Sequence, residues 1–428
     1  MNGLFVKRIS YLNVLLFALC YWRVEAQTYD TNNEVVQTFA GSGFIGSVDG
    51  VGVNTMFNNP KAIVADSHSN LFVWDKDSGS ISVGGKIRKI VPDSTVTTTV
   101  RMGTFSGSFV LTIDRSDTIW GVDGFLTFYN GRSGLFGTPT IYKITGGTIV
   151  TTTNLFPLGI GNNINAFAGI CADSLGNLYI SDAITDVIYR YTTNGSLSVF
   201  AGSGNQGRID GNGIFTSFNM PTVLACDQAN NIYVWDSGNH LIRRIDQSQN
   251  VTTIAGKYQI SSSADGVGTN AAFNSIYQMC VDSSGNVILA CGTFIRQMDA
   301  TTNVVTMAGS FTQSGYTNGA GNLARFNSAS GVCIAGGMVF VADSSNYRIR
   351  QISLNPQSQV VGGANLGIGT FAGVTITGTV GRTYQVQSSP DTTNWTTRAT
   401  LLLNSSPYLW IDQNPVSGNK FYRALLLP

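Results

Sequence analysis

Charge is what this chain has least of. Only 11% of its residues are charged, against about 25% in an ordinary soluble protein. Glutamate occurs only at Glu25 and Glu34, and histidine only at His68 and His240. The net charge is +1, with no basic block and no acidic tail, which argues against nucleic-acid binding by phosphate neutralisation. The scarcity of Glu and His leaves few groups for general acid–base chemistry. There is no C-x-x-C, no G-x-S-x-G and no Glu/His pair at ligand spacing, so the familiar zinc and serine-hydrolase signatures are missing. Past the first residues no stretch approaches the roughly 20 apolar residues of a spanning helix, and no segment keeps a helical period.

Polarity is carried instead by Gly, Ser, Thr and Asn, with 49 glycines among 428 residues. These residues supply turns and local side-chain hydrogen bonds, which suits a β-rich chain. The N-terminus reads as a secretory signal: Lys7 and Arg8, then the apolar "YLNVLLFALCYW", then Val24-Glu25-Ala26. Cleavage is expected after Ala26, giving a signal peptide over 1–26 and a secreted or otherwise extracytoplasmic chain. A lipoprotein route through Cys20 would want a small residue where Leu19 stands. Cys171, Cys226, Cys280, Cys291 and Cys333 remain, an odd number, and a chain this large needs no disulfide framework.

Internal repetition is the dominant signal. "FNNPKAIVADSHSNLFVWD" at 57–75 aligns with "FNMPTVLACDQANNIYVWDSGNHLIRRI" at 218–245. It also aligns with "FNSIYQMCVDSSGNVILACGTFIRQM" at 273–298 and "FNSASGVCIAGGMVFVADSSNYRIRQI" at 326–352. Residues 168–191 and 109–123 are more divergent copies, and the period is about 54 residues. Asp66 and Asp75, Asp114 and Asp123, Asp173 and Asp182, and Asp227 and Asp236 are each nine apart, and Cys291 takes the second place after Asp282. Upstream, Asp49, Asp210, Asp265 and Asn318 each precede a Phe by eight.

Each unit reads as four strands, a to d, with Asp-led turns after a and b. The Asp closing strand b is expected to accept backbone N–H groups ahead of it, as in an Asx-turn. Such units set radially make a β-propeller. The first strand, 35–40, is a d strand without its own a, b and c, while the last unit stops after c at 348–352. The fold class expected is therefore all-β: a six-bladed β-propeller over 27–353, whose N-terminal strand completes the last blade and removes the open edge.

"CDQANNIYVWDSGNHLIRRI" and "GVCIAGGMVFVADSSNYRIRQI" resemble NHL repeats, and the likeness runs over 35–353. NHL repeats imply a propeller and a binding surface without fixing a function. Residues 354–365, "LNPQSQVVGGAN", read as a linker. Residues 366–428 read as a small β-sandwich; "TYQVQSSPDTTNW" and "KFYRALLLP" resemble a fibronectin-type-like C-terminal module of secreted proteins of environmental bacteria, with Trp395, Trp410 and Tyr422 as core and an aromatic sugar platform as the sharper alternative.

"AGSGFIG" at 40–46 and "AGSGNQG" at 201–207 carry G-x-G-x-x-G, but each runs into a Gly/Asp loop and not the helix a dinucleotide needs. Some secreted propeller enzymes related to NHL proteins, the peptidylglycine amidating lyases among them, hold a metal with channel histidines. Here His68 falls in an a–b turn and His240 in a b–c turn, at opposite ends of a strand about 20 Å long, so no such site is expected. No cofactor is expected; the remaining candidate is calcium in the D-G-x-G loops, whose plainer role is turn formation.

The site candidate comes from asymmetry. Unit two lacks the D-G-x-G loop and carries instead a b–c insertion at 124–140, with Phe125, Phe128, Tyr129, Arg132 and Phe136. A loop that breaks the repeat while bringing aromatics and one Arg is a ligand-binding candidate; the alternative is that its aromatics fill the space the missing loop leaves. The sequence thus points to a secreted, monomeric, non-enzymatic protein that binds an extracellular protein or polysaccharide. A propeller lyase or lactonase using Asp-bound calcium is one alternative, and a cell-envelope scaffold attached through the C-terminal module is another.

Overall fold

The computed structural model describes residues 34–77, 83–105, 109–123, 126–129, 132–135, 140–154, 167–354, 373–376, 379, 382–389, 393–402, 408–411 and 421–427. The expected signal peptide and nearly all of the expected linker lie outside them. The described chain is all-β, in antiparallel sheets with propeller-like connectivity.

Sheet 1 contains Pro60–Ala65, Leu71–Lys76, Val83–Ile90 and Thr95–Phe105, its strands a to d. Sheet 2 contains Phe109–Ile113, Ile119–Asp123, Thr140–Thr145 and Thr148–Asn154. Sheet 3 contains Phe167–Ala172, Leu178–Asp182, Val187–Tyr191 and Leu197–Ala201. Sheet 4 contains Pro221–Cys226, Ile232–Asp236, Leu241–Ile245 and Asn250–Ala255. Sheet 5 contains Gln278–Val281, Val287–Ala290, Phe294–Met298 and Asn303–Gly309.

Sheet 6 takes strands a to c from Ala329–Ala335, Met338–Asp343 and Arg348–Leu354. Its d strand is the N-terminal Glu34–Ala40, which pairs antiparallel with Arg348–Leu354 (Val36 opposite Ile352). That is the pairing the truncated last repeat calls for. Sheets 1, 4, 5 and 6 also gain a two-residue outer strand from the loop that precedes strand a: Gly50–Val51, Gly211–Asn212, Gly266–Val267 and Gly319–Ala320.

The a strands touch in chain order, sheet 1 to sheet 6, and that of sheet 6 touches that of sheet 1. Apolar clusters lie between neighbouring sheets, as with Trp235, Phe273, Met279 and Leu289 between sheets 4 and 5. The strands are apolar on both faces because both faces are covered. Phe57, Phe218, Phe273 and Phe326, the Phe of each D-G-x-G loop, are fully buried and pin the loop to the sheets.

In sheets 1 to 5 the a–b turns are Asx turns, whereas sheet 6 turns through Gly336-Gly337. Asp66 accepts the amides of His68 and Asn70, and Asp173, Asp227 and Asp282 repeat the pattern with Asn177, Asn231 and Asn286. The Asp closing strand b behaves as expected in sheet 3, where Asp182 accepts Ile184 and Thr185 amides ahead of it. In sheets 4 and 6 it accepts the side-chain amides of Asn239 and Asn346 in the turn ahead, and in sheets 1, 4 and 6 it also reaches back to a loop and across to strand c, as described below. The C-terminal residues form a two-stranded sheet, Gly373–Ile376 with Tyr408–Ile411, and a three-stranded one, Thr396–Leu402, Thr383–Ser389 and Phe421–Leu426. Trp395 is half-buried, while Trp410 and Tyr422 lie in strands whose side chains fall outside the described residues. Among the described residues no helix is long and apolar enough to cross a membrane.

Candidate binding face and central cavity

The loops that enter strand a and the turns between b and c lie at one end of the sheets. Four of those loops are locked by a recurring arginine from strand c. Arg88, Arg243, Arg296 and Arg350 are among the largest fully buried side chains. Arg243 donates to Asp236 at 2.9 Å, to Asp210 of the D-G-x-G loop at 2.6 Å, and to the loop carbonyls of Ser217 and Ile209. Arg88 makes the same four contacts with Asp75, Asp49, Met56 and Val48. Arg350 makes them with Asp343, Asn318, Arg325 and Thr317. Each guanidinium also stacks near the loop's anchoring Phe, with Arg243 5.2 Å from the Phe218 ring centre.

The planar fork explains why this residue recurs: it bonds two carboxylates and two carbonyls at once, which a lysine cannot. Asp75, Asp236 and Asp343 use their other oxygen on the loop, accepting the amides of Asn59, Asn219 and Asn327. Burial pushes all three carboxyls up, Asp236 to about 6, against the lowering pull of their amide and Arg donors. In sheet 5, Cys291 replaces the strand-b Asp, and Arg296 turns both Nε and Nη2 onto Asp265.

This arrangement answers the calcium expectation. Asp49 accepts Arg88 and both the amide and hydroxyl of Thr98; Asp210 accepts Arg243 and Thr253, and Asp265 accepts Arg296 and Thr306, in the same way. The carboxylates and loop carbonyls that would ligate an ion already converge on a guanidinium, so they do not fit calcium. No cluster of three or more His, Cys, Asp or Glu able to hold a metal occurs among the described residues. His68 is exposed beside Asp117, and His240 Nδ1 meets the Phe273 carbonyl in a different turn.

The glycines of the two G-x-G-x-x-G stretches have a local cause. A Cβ at Gly41 would lie 2.5 Å from the Tyr347 carbonyl, and one at Gly202 2.6 Å from that of Asp186. These glycines let the loop cross close over the b–c turn, and only a single 3-10 turn follows in each loop, Gly52–Asn54 and Gly213–Phe215, in place of the α-helix a dinucleotide site needs.

The insertion in sheet 2 leaves from the same end, between Asp123 and Thr140, which face each other in the ladder. It forms a hairpin, Leu126–Tyr129 with Arg132–Leu135, placing Tyr129 opposite Arg132 and Phe128 opposite Ser133. Phe125 and Phe136 lie outside the described residues, as do the side chains of Phe128, Tyr129 and Arg132. The chain passes from Phe105 to Phe109 without a D-G-x-G loop.

All six a strands line a central cavity of about 520 Å³. Lys61, Lys76, Tyr277 and Gln278 stand toward its loop-bearing end, and apolar residues such as Ile63, Leu111, Ile170, Leu224, Met279 and Val332 form the wall. Gln278 reaches past sheet 6 to the Ile63 backbone of sheet 1, donating to its carbonyl at 2.7 Å and accepting its amide at 3.2 Å. The five cysteines are free. Cys171 is near Cys226, and Cys333 near Cys280, and burial pushes these thiols up, Cys226 to about 12. The buried arginines were absent from the sequence-based candidates, although "IRKI", "IRRI", "IRQM" and "IRQI" mark them at one place in each repeat. Lys61 and Lys76 repeat nowhere, so no pattern announced them.

No protein-family model matches the chain. NHL repeat-containing protein 2 of Bos taurus is 29% identical over 234 residues, 47% of this chain and 32% of its own length. The protein of the same name from Gallus gallus is 30% identical over 209 residues, 42% of this chain and 29% of its own length. The chain thus spans about a third of these relatives. Among solved structures, an auxiliary nutrient binding protein from Bacteroides thetaiotaomicron superposes with a TM-score of 0.58 at 18% identity, covering 75% of this chain and 76% of that one. One from Bacteroides ovatus gives 0.55 at 16%, covering 76% and 77%. Together these matches support an NHL-repeat β-propeller. At such identity the structural likeness speaks to the fold alone.

Proposed function

We propose that the chain is a secreted six-bladed NHL-type propeller over 27–353, joined through a linker at 354–365 to a small β-sandwich over 366–428. It works as a monomer by binding an extracellular protein or polysaccharide through its loop-bearing face, without catalysis. The arginine clamps carry this reading. They engage Asp49, Asp75, Asp210, Asp236, Asp265 and Asp343 in holding four loops rigid, which preorganises a surface for binding. The loops present apolar side chains outward, with Phe44, Ile209, Phe215 and Leu323 all more than 60% exposed; exposed apolar groups on an ordered face favour contact with a partner. The auxiliary nutrient binding proteins of the same fold are consistent with a binding role outside the cytoplasm.

The test is a screen of the mature chain against immobilised bacterial, plant and fungal polysaccharides, with metal analysis alongside. Binding that is lost when 124–140 is shortened to a tight turn, while unfolding stays cooperative, supports the reading and assigns the site to the insertion at Phe125, Phe128, Tyr129 and Arg132. Stoichiometric calcium with lactone hydrolysis would overturn it.

A further inference from the structure

The central cavity has a chemistry that the loop face does not use. Among the described residues its lining holds no Asp, Glu or Arg, and two lysines, Lys61 and Lys76, supply its charge. They come from neighbouring strands of sheet 1, where Pro60 pairs with Asp75, so both emerge at the loop-bearing end. Both are half-buried. Neither ammonium has an acidic partner within ion-pair distance among the described residues, whereas Lys86 of the same sheet pairs with Asp77 at 3.0 Å. Two unpaired cations at an apolar mouth are costly unless an anion joins them.

The other polar groups narrow the choice. Gln278 has both amide atoms bound to Ile63. Ser330 gives its hydroxyl to the Lys61 carbonyl at 2.9 Å. Below them the wall is mostly apolar, with Phe109 and Thr112 among the aliphatic side chains, and the thiols toward the far end stay protonated because burial raises them. A ligand therefore meets charge at one end only. The volume, about 520 Å³, lies within the span of roughly 300–1,000 Å³ usual for small-molecule sites.

We propose that this cavity binds an amphipathic organic anion, a carboxylate whose head sits between Lys61 and Lys76 and whose apolar body extends down the axis. The site is separate from the macromolecular face proposed above and does not depend on it. Burial, then the charge of Lys76, lowers the Lys61 ammonium, and a carboxylate between the two would relieve both effects.

Calorimetry on the whole mature chain tests this with three probes: decanoate, decanol and inorganic phosphate. Decanoate is expected to bind saturably at one site, about tenfold or more tighter than either decanol or phosphate, a factor of ten being about 1.4 kcal/mol. The double variant Lys61→Gln/Lys76→Gln should weaken decanoate about tenfold without changing decanol. Lys61→Arg/Lys76→Arg should retain decanoate binding, and circular dichroism and melting verify that each variant is folded. Equal binding of decanoate and decanol, phosphate binding as tight as decanoate, no decanoate binding, or an unmoved Gln variant would each overturn the proposal. Decanoate binding in a protein that takes up no polysaccharide or protein partner would leave this site standing and remove the loop-face reading.

Discussion

The arginine of strand c is the most connected side chain in the repeat. In sheet 4, the fully buried Arg243 joins strand b, the D-G-x-G loop and the aromatic anchor. Removing the arginine leaves the buried Asp236 carboxylate without its counter-charge and the Ser217 and Ile209 carbonyls without this donor. Arg243→Met is therefore expected to cost about 3–5 kcal/mol, read as a shifted urea midpoint with an unchanged slope. Arg243→Lys should recover little of it, because an ammonium cannot replace the fork; full recovery by Lys would refute the account. A second residue couples neighbouring sheets near the opposite end. Asp117 accepts the Ser67 hydroxyl at 2.6 Å and the Ser67 amide at 2.8 Å. The hydroxyl bond chiefly, then the amide and His68, hold its carboxyl below the usual range against desolvation. A lowered carboxyl stabilises the fold above its unfolded-state pKa and ceases to do so as pH falls through the folded value. Asp117→Asn should cost roughly 0.5–1 kcal/mol at pH 7 and less at a pH below the unfolded-state value of about 3.9. Equal costs at both pH values by urea unfolding would show that the charge is irrelevant.

At the scale of the element, the a strands come closer together at some seams than side chains permit. Gly169 of sheet 3 faces sheet 4, where an added Cβ would lie 2.0 Å from the Thr222 carbonyl. Gly331 of sheet 6 faces sheet 1, where one would lie 2.5 Å from the Lys61 carbonyl and 3.0 Å from Gln278 Oε1. The second glycine is what lets Gln278 span from sheet 5 to Ile63. Gly169→Ala and Gly331→Ala should each destabilise by about 1–3 kcal/mol. The two seams share no residues, so the double variant should be additive within about 0.5 kcal/mol. Thermal melts of the four proteins check this, and a clear departure from additivity would mean that strain passes around the ring of a strands.

For the whole molecule, the decisive contact is between the ends of the repeat array. Glu34–Ala40 covers the Arg348–Leu354 strand that would otherwise be an open sheet edge. Deleting Glu34–Ala40 should yield a protein that self-associates, since a bare edge pairs with other copies. Light scattering and size-exclusion chromatography read the outcome. A monodisperse deletion variant with an unchanged melting transition would show that the sheets hold without this closure.

Much of this was legible in the sequence because repetition averages out local ambiguity. Four strands per unit, Asp-led turns, the buried Phe eight residues after the loop Asp, and the closing role of residues 35–40 all follow from patterns that recur. The insertion at 124–140 was visible as a break in the pattern. The Asp that closes strand b holds its own turn in sheets 4 and 6 through the side-chain amides of Asn239 and Asn346 and not through backbone N–H groups, and in sheets 1, 4 and 6 it has further partners the expectation missed, an arginine on the next strand and a loop seventeen or so residues upstream. The calcium candidate failed for the same reason, since a run of letters shows the carboxylates but not the guanidinium that reaches them. What the sequence determined alone is therefore the periodic part, set by side-chain alternation and turn chemistry within a few residues. The tertiary structure decided which charges meet. It brought Arg to Asp across a sheet, Gln278 to Ile63 across a neighbour, and Lys61 beside Lys76 at the mouth of a cavity that exists only once six strands face a common axis. Such encounters depend on where separate strands end in space, and no local spacing encodes that.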